Sequence, residues 1–283
     1  MAGLGTLLTA MITPFDDDGQ IDEAAFVRVL HHVCEHGSDG VVVAGSTGEA
    51  ATLTDEEHLR VIELAVAEIA EGKTVIAGTG SNDTRHAVEL TARATELGAD
   101  ATLSVTPYYN RPDRRGLLAH YGEVARATDK PVLLYNIPSR TGLDISNELL
   151  AELGQIDGIE GVKQANEASL APIDGLDLYA GNDTDFARTL DMGGTGGILV
   201  ASHVVGDEMR RLVDEPHRRA QIDAALRDVY EATGWHNPIP IKKACELIGL
   251  CSGRLRLPLV EADDERTEIL RDALAAHGAL TAA

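Results

Sequence analysis

The 283-residue chain has few cysteines and few aromatic residues. Cys34, Cys245 and Cys251 are odd in number, and only Cys245 and Cys251 form a loose pair. They predict reduced thiols in a cytoplasmic protein rather than a disulfide framework or a metal site. Aromatic residues make up 4% of the chain against 44% hydrophobic residues, so aliphatic packing is expected to dominate the core. Neither a membrane-length apolar run nor a signal peptide is evident.

Basic residues are also scarce, since 24 lysines and arginines face 46 aspartates and glutamates, for a formal charge of −22. A nucleic-acid-binding protein needs a basic surface, so nucleic acid is excluded as a partner. The acidic residues are spread along the whole chain rather than gathered in a tail. A dispersed acidic surface is typical of halophilic proteins, and its self-repulsion is expected to destabilise the compact state at low salt.

Apolar strand-like runs alternate with amphipathic helical stretches over the first two hundred residues. The runs are Thr6–Ile12, Gly40–Ala44, Thr74–Ala77, Ala101–Val105, Val132–Tyr135, Gly158–Val162, Leu176–Ala180 and Gly197–Val200. Eight strand–helix repeats of nearly continuous apolar strands favour an α/β fold, the (β/α)8 TIM barrel. A doubly wound parallel sheet shows the same alternation, but it concentrates its site at one switch point. Polar residues follow several strands here, which favours the barrel.

Helical patterns lie between these strands, and beyond the last strand only helical patterns remain. They include Asp55–Ala70, Asp83–Leu97, Arg115–Thr128 and Asp183–Met192, with a capping box predicted at Thr54-Asp-Glu-Glu57 and helix-ending glycines at 98 and 193. Strand signals stop near Val205, and helical stretches follow over Pro216–Thr233, Pro240–Leu250 and Ala262–Ala276. We therefore expect a barrel over residues 1–215 and a C-terminal helical region over 216–283, packed on the barrel.

Lys163 is one of only five lysines in the chain, and it ends the apolar run of the sixth strand. Removal from water lowers the pKa of an amine, and a neutral amine can form a Schiff base with a carbonyl compound. The alternative is a surface lysine whose stem covers apolar neighbours. The segments after the other strands bear on this choice, because active sites of such barrels lie at the C-terminal ends of the strands.

Polar segments follow five other strands, at Gly45–Glu49, Gly78–Asn82, Thr106–Pro112, Tyr135–Gly142 and Gly181–Asp183. Each segment taken alone also has a purely structural interpretation. Gly45–Glu49 lacks the P-loop pattern and can be an ordinary strand–helix turn, the tyrosines can be packing residues, and Arg140 can be a surface cation. Arg140, however, offers the planar guanidinium that a carboxylate substrate needs. No metal-ligand spacing and no Ser/His/Asp trio is present, so no metal or cofactor is expected. Amine-based carbonyl chemistry remains, with tyrosine and threonine hydroxyls moving protons.

Five motifs together resemble a known family: Gly45–Leu53, Thr106–Pro112, Tyr135–Gly142, Gly161–Lys163 and Asn237–Ile241. From Gly5 to Pro258 the chain is similar to the dihydrodipicolinate synthase / N-acetylneuraminate lyase family of class I aldolases. The resemblance implies a (β/α)8 barrel with C-terminal helices, assembled as a homotetramer that is a dimer of dimers. It also implies a lysine Schiff base with pyruvate.

The resemblance assigns roles by position. Lys163 would form the imine with pyruvate, and Tyr135 would act as its general acid and base. Thr47 would link Tyr135 to Tyr109, which in the family reaches in from the neighbouring subunit. The remaining matches concern substrate binding: Ser46 and Thr47 for the pyruvate carboxylate, Arg140 for the aldehyde's carboxylate, and Gly181 and Ile198 near the Schiff base.

Arg140 also separates branches of this family. The pattern Tyr-Asn-x-Pro-x-Arg-Thr-Gly over residues 135–142 resembles the branch that joins pyruvate to L-aspartate 4-semialdehyde, toward diaminopimelate and lysine. Two alternatives stay open at this stage. One is an aldolase for 2-keto-3-deoxy sugar acids or N-acetylneuraminate, and the other is a keto-acid-binding barrel without turnover.

Feedback inhibition by lysine is expected to be weak or absent. Regulated members of the family bind lysine at positions that match Ala51, Asp55, His58, Asn82, His86 and Tyr108. His86 stands where those members carry a glutamate for the inhibitor's ammonium group, and Asp55 replaces a histidine or lysine. Both replacements change the charge that the inhibitor would meet.

Overall fold

Eight parallel strands close into a barrel in the computed structural model, which describes residues 3–280. The strands are β1 Leu7–Ala10, β2 Gly40–Val43, β3 Thr74–Gly78, β4 Ala101–Val105, β5 Val132–Asn136, β6 Ile159–Gln164, β7 Asp177–Ala180 and β8 Gly196–Leu199. Each strand pairs with the next, and β1 pairs with β8 in the register Leu8↔Ile198. An open sheet would leave two edge strands unpaired, so the doubly wound alternative is excluded and the TIM barrel is confirmed.

The barrel interior is a packed aliphatic and aromatic core. Side chains alternate between the interior and the helix layer, so both faces of every strand are buried. The interior cluster includes Leu8, Val42, Ile76, Leu103, Leu133, Tyr135, Tyr179 and Ile198. Because this core excludes water, polar chemistry is confined to the ends of the strands.

Twelve α-helices surround and extend the barrel within residues 3–280. They are α1 Glu23–Glu35, α2 Asp55–Glu68, α3 Thr84–Glu96, α4 Arg114–Arg126, α5 Pro138–Thr141, α6 Asn147–Leu153, α7 Phe186–Asp191, α8 Ser202–Asp214, α9 Arg219–Ala225, α10 Arg227–Gly234, α11 Ile239–Leu247 and α12 Asp264–Ala276. The first eight connect or follow the strands, and the last four form the C-terminal helical region.

Local signals in the sequence place several helix ends correctly. The backbone N–H of Glu57 donates to the Thr54 hydroxyl at 3.3 Å, and the Thr54 N–H donates to the Glu57 carboxylate at 2.9 Å. This is the predicted capping box at the start of α2. Gly98 and Gly193 follow helices with φ of +97° and +84°, a backbone conformation that side chains resist.

Most predicted ranges shift by a few residues, and two differences bear on the argument. Strand β6 continues through Gln164, so Lys163 lies inside the strand rather than after it. The helical stretch predicted over Pro216–Thr233 consists of a 3₁₀ turn at Pro216–Arg218, α9 and α10, with Leu226 between the two helices. Leu226 keeps a right-handed helical backbone and is buried in the same apolar cluster as residues of both helices.

The C-terminal helices pack on the outside of the barrel. Ile241 of α11 and Leu270 of α12 belong to the same apolar cluster as Phe26 of α1 and Ile62 of α2. The His277 ring beyond α12 contacts the carboxylates of Glu208 and Asp228, at 3.0 Å each. The division at residues 215 and 216 stays a prediction, and residues 1–2 and 281–283 of the two predicted ranges lie outside the described residues.

Three further observations concern residues 3–280. No helix there is long and apolar enough to cross a membrane. No group of three or more His, Cys, Asp or Glu side chains in that range could hold a metal ion. The three cysteines are free thiols, and Cys34 and Cys245 are buried.

Candidate active site

Lys163 lies next to last in β6, with its side chain in the mouth of the barrel. Its neighbours in the sheet register are Tyr135 on β5 and Tyr179 on β7. The lysine is 5% exposed, and burial lowers the pKa of its amine to about 7, against a smaller opposing effect of the Asp183 carboxylate. A large fraction of the amine is therefore neutral near pH 7, which makes it a nucleophile.

Tyr135 is the aromatic neighbour of this amine. The Lys163 Nζ lies 4.5 Å from the centroid of the Tyr135 ring. Burial raises the pKa of the Tyr135 phenol to about 12, while the Arg140 charge and a hydrogen bond with the Ser46 side chain act in the opposite direction. The hydroxyl is therefore protonated at neutral pH and can donate a proton.

The loop after β2, residues 44–49, brings the Ser46 and Thr47 hydroxyls to the site. Ala44 and Glu49 at its two ends have φ of +53° and +55°, in the left-handed region that non-glycine residues seldom adopt. Such strain persists only where surrounding contacts over-determine the backbone, and it concentrates at functional sites. Thr47 is buried, and its hydroxyl accepts a hydrogen bond from Asn237 Nδ2 at 2.9 Å.

Arg140 lies in the short helix α5 at the opening of the site. Its side chain is exposed, and its Nη2 donates to the backbone carbonyl of Asn237 at 2.6 Å. The charge acts on both reacting groups, since it lowers the pKa values of Lys163 and Tyr135. The Arg140 charge thus favours the neutral form of the Lys163 amine.

A cavity of about 380 Å³ lies beside Ser46, Tyr135 and Arg140. Ser46, Tyr135, Ile137, Arg140 and Tyr108 are among its lining residues. This volume suits a small ligand of the kind that a concave, partly apolar site accepts.

Gly181 follows β7, and Ile198 lies on β8. A Cβ on Gly181 would lie 2.7 Å from Ala165 Cβ and 2.9 Å from the Gln164 carbonyl, so no larger residue fits where β7 approaches β6. Ile198 is fully buried in the interior cluster that also contains Tyr135. Both positions are therefore explained by the packing of the strands.

Tyr109 is a predicted catalytic residue that a single chain does not bring to Lys163 and Tyr135, and the hydrogen-bond partner of Tyr135 is Ser46 rather than Thr47. Its side chain is 92% exposed and its φ is +70°. A bulky residue in the left-handed region is a rare outlier. The loop after β4 therefore projects this ring away from its own chain.

Two residues near the site were not assigned a role from sequence. Asn237 contacts both Thr47 and Arg140. The only signal for it in the sequence was its place in the Asn-Pro-Ile-Pro-Ile motif. Asp183 is buried after β7, and its Oδ1 accepts the N–H groups of Val200 and Ala201 at 3.0 Å each. Its position directly after a strand was the available signal, and its carboxylate raises the pKa of Lys163.

Comparison with known proteins agrees with this geometry. The model of the "Dihydrodipicolinate synthetase family" matches residues 3–277. The chain belongs to this family. A relative from Caldicellulosiruptor saccharolyticus, named 4-hydroxy-tetrahydrodipicolinate synthase, is 39% identical over 283 residues, covering 95% of each chain. One of the same name from Methanosarcina mazei is 40% identical over 290 residues, covering 96% of this chain and 98% of its own.

Solved structures of family members are also similar. Dihydrodipicolinate synthase from Cyanidioschyzon merolae, with lysine bound, has a TM-score of 0.93 at 36% identity, covering 99% of this chain and 100% of its own. The chloride-inhibited enzyme from Acinetobacter baumannii, complexed with pyruvate, has a TM-score of 0.93 at 34% identity, with coverages of 98% and 100%. The family's fold therefore extends over nearly the whole chain.

Proposed function

We propose that this chain is a 4-hydroxy-tetrahydrodipicolinate synthase, which condenses pyruvate with L-aspartate 4-semialdehyde in diaminopimelate and lysine biosynthesis. The observation that carries the proposal is the buried Lys163 amine, with a pKa of about 7, beside Tyr135 and with Arg140 at the opening. The relatives reported above bear this name. They do not favour the sugar-acid and N-acetylneuraminate alternatives or a barrel without turnover.

The first half-reaction follows from the properties of Lys163 and Tyr135. The neutral amine attacks the keto carbon of pyruvate, and loss of water from the carbinolamine leaves an imine. Tyr135 supplies the proton that the departing hydroxyl needs, since its phenol stays protonated at neutral pH. The Tyr135 phenolate left by this transfer then takes a methyl proton, which restores the phenol and gives an enamine, the carbon nucleophile.

Ser46 and Thr47 are proposed to hold the pyruvate carboxylate. Both hydroxyls come from the strained loop 44–49, and Ser46 lines the cavity. Gly181 and Ile198 are proposed to leave room for the imine, because one lacks a side chain and the other is apolar. No metal or organic cofactor is proposed for these steps.

Arg140 is proposed to bind the carboxylate of L-aspartate 4-semialdehyde. Its guanidinium lies at the opening, so the aldehyde would enter with its carboxylate outward and its carbonyl toward the enamine. A planar guanidinium can make two parallel hydrogen bonds to a carboxylate. This contact would make the site selective for L-aspartate 4-semialdehyde.

The test of the proposal is chemical trapping followed by an assay of both aldehyde classes. Borohydride reduction with pyruvate, followed by mass spectrometry, should place the adduct on Lys163. Turnover is then compared with L-aspartate 4-semialdehyde and, in the cleavage direction, with 2-keto-3-deoxygluconate. An adduct that turns over only the sugar acid would overturn the substrate assignment.

Tyr109 is proposed to act in a neighbouring subunit of a homotetramer built as a dimer of dimers. The exposure of its ring and its strained backbone support this role, because a partner would bury both. Mixing Lys163→Ala with Tyr109→Phe chains should restore activity, since a mixed dimer has one site with an intact Lys163 and an intact Tyr109. No recovery after unfolding and refolding the two chains together would contradict the shared site.

A cytoplasmic location and adaptation to salt are also proposed. The formal charge of −22 supports the second, because salt screens the repulsion between surface carboxylates. The melting temperature should rise between low and molar potassium chloride. A melting temperature independent of salt would count against this proposal.

Weak inhibition by L-lysine is expected from the concavity that Asp55, Ser81, Asn82, His86 and Tyr108 line. His86 Nε2 already contacts the Asp55 carboxylate at 3.0 Å, so that carboxylate is engaged by its neighbour. Titration with lysine at fixed substrate should show little inhibition below the millimolar range.

The matched variant for this prediction is His86→Glu, which frees Asp55 and adds a carboxylate beside it. Its inhibition by lysine should be stronger than that of the native chain. Half-inhibition of the native chain at sub-millimolar lysine would show that the prediction is wrong.

A further inference from the structure

Asn237 contacts two groups of the site that lie on different loops. Its side-chain Nδ2 donates to the Thr47 hydroxyl at 2.9 Å, and its backbone carbonyl accepts from Arg140 Nη2 at 2.6 Å. Thr47 follows β2 and Arg140 follows β5, whereas Asn237 belongs to the C-terminal helical region. One residue outside the barrel therefore contacts both Thr47, which is proposed to bind pyruvate, and Arg140, which is proposed to bind the aldehyde.

The segment that carries Asn237 is held to the Thr47 loop at a second point. Lys242, five residues on in α11, forms an ion pair with Glu49 at 2.5 Å, with side chains 0% and 1% exposed. The Lys242 backbone N–H also donates to the Pro238 carbonyl at 3.0 Å. The spacing between Asn237 and Thr47 is therefore set by a buried ion pair close to both.

The donor at Asn237 sets the direction of the Thr47 hydroxyl. An amide NH₂ group only donates, so Thr47 Oγ1 accepts this hydrogen bond and its own proton points to another acceptor. That leaves the proton for the pyruvate carboxylate, which Thr47 is proposed to hold. At the other contact, one guanidinium nitrogen of Arg140 is held by a fixed carbonyl, which orients the remaining donors toward the cavity.

We propose that Asn237 is a positioning residue whose side chain acts through Thr47 on the placement of pyruvate and whose backbone carbonyl holds Arg140 at the opening. The inference rests on the proposed function and adds that the C-terminal region sets the geometry of both half-sites. Asn237 touches no reacting atom, so its effect must disappear when the group that it positions is removed.

Two double-mutant cycles test this inference. Asn237→Ala alone should lower kcat by about 10- to 100-fold, the usual cost of misplaced groups. It should change the KM for L-aspartate 4-semialdehyde by less than about twofold, because the backbone carbonyl that holds Arg140 remains. In a Thr47→Val background, the same change should alter kcat by less than about twofold, since the hydroxyl is gone. In an Arg140→Ala background, the full loss of kcat should persist, because the contact with Thr47 does not pass through Arg140.

Asn237→Asp is an isosteric substitution with which both cycles can be repeated, and it tests the inference if the alanine variant does not fold. The carboxylate keeps the shape and lacks the N–H donor, so it should reproduce the loss of kcat. Activity of Asn237→Asp equal to that of the native chain would overturn the inference. Asn147→Asp is the matched control, because Asn147 Nδ2 donates to the Ser169 carbonyl away from the site.

The outcomes also separate this inference from the proposed function. A loss of kcat from Asn237→Ala that multiplies fully with that of Thr47→Val, or a raised aldehyde KM, would assign Asn237 a general structural role and overturn the inference. Absence of a borohydride-trapped pyruvate adduct in the native chain would instead overturn the proposed function. An adduct together with a non-additive Thr47 cycle supports both.

Discussion

Lys163→Ala is expected to form no trapped adduct with pyruvate and to lose turnover by about four orders of magnitude or more. The covalent route needs an amine within reach of the substrate, and this side chain supplies it. The native chain should form the adduct faster as pH rises through about 7 and then level off. The sign follows from burial, which lowers the pKa of Lys163, so that the neutral amine accumulates above that value.

The controls for this prediction are two other lysines. Lys130 precedes β5 at the opposite end of the barrel, so Lys130→Ala should keep adduct formation and activity. Lys242 is also buried, but its amine is paired with Glu49 and is not expected to react. An adduct that persists in Lys163→Ala and maps to Lys242 would contradict the assignment of the nucleophile.

Arg140→Ala is expected to keep the pyruvate adduct and to raise the KM for L-aspartate 4-semialdehyde by about 10- to 100-fold. Hydrogen bonds to a charged group contribute about 1.5–3 kcal/mol, which corresponds to that range. Arg140→Lys should recover only part of the loss, because an ammonium lacks the bidentate geometry. Steady-state kinetics with each substrate varied in turn measure both effects.

The pH of this comparison matters because Arg140 also lowers the pKa of Lys163. Its removal raises that pKa, so adduct formation by Arg140→Ala should be slower than native near pH 7 and equal at higher pH. Arg126→Ala is the matched control, since Arg126 pairs with Glu123 on the outer helix α4. An equal loss of pyruvate and aldehyde use at high pH would show that Arg140 does not select the aldehyde.

The sequence was informative about the barrel because its signals are local and repeated. Each strand is a short apolar run, and each helix has apolar residues at a helical spacing, so eight repeats identify a closed barrel. The helix start at Thr54 follows from a capping box within one turn, and the helix end at Gly98 follows from a positive φ that glycine accepts. The interruption of the helical stretch over Pro216–Thr233 at Leu226 was not predicted, because no glycine or proline marks it.

The residues of the candidate site likewise include some that the sequence predicts and one that it does not. Lys163, Tyr135, Ser46, Thr47 and Arg140 could be predicted, since each stands at or just after a strand end, and strand ends converge in a parallel barrel. Asn237 could not, because its partner Thr47 lies 190 residues away in the chain. No periodicity or spacing connects two such positions.

By itself, the sequence determined the fold class, the rim of the barrel on which the chemistry lies, and the lysine that faces it. These properties depend on alternation of apolar residues, which local physics translates into strands and helices. Only the tertiary structure decided the pKa of Lys163, the partners of Thr47 and Arg140, and the outward position of Tyr109. Desolvation and hydrogen-bond geometry depend on distances between distant segments, and those distances exist only once the barrel has closed.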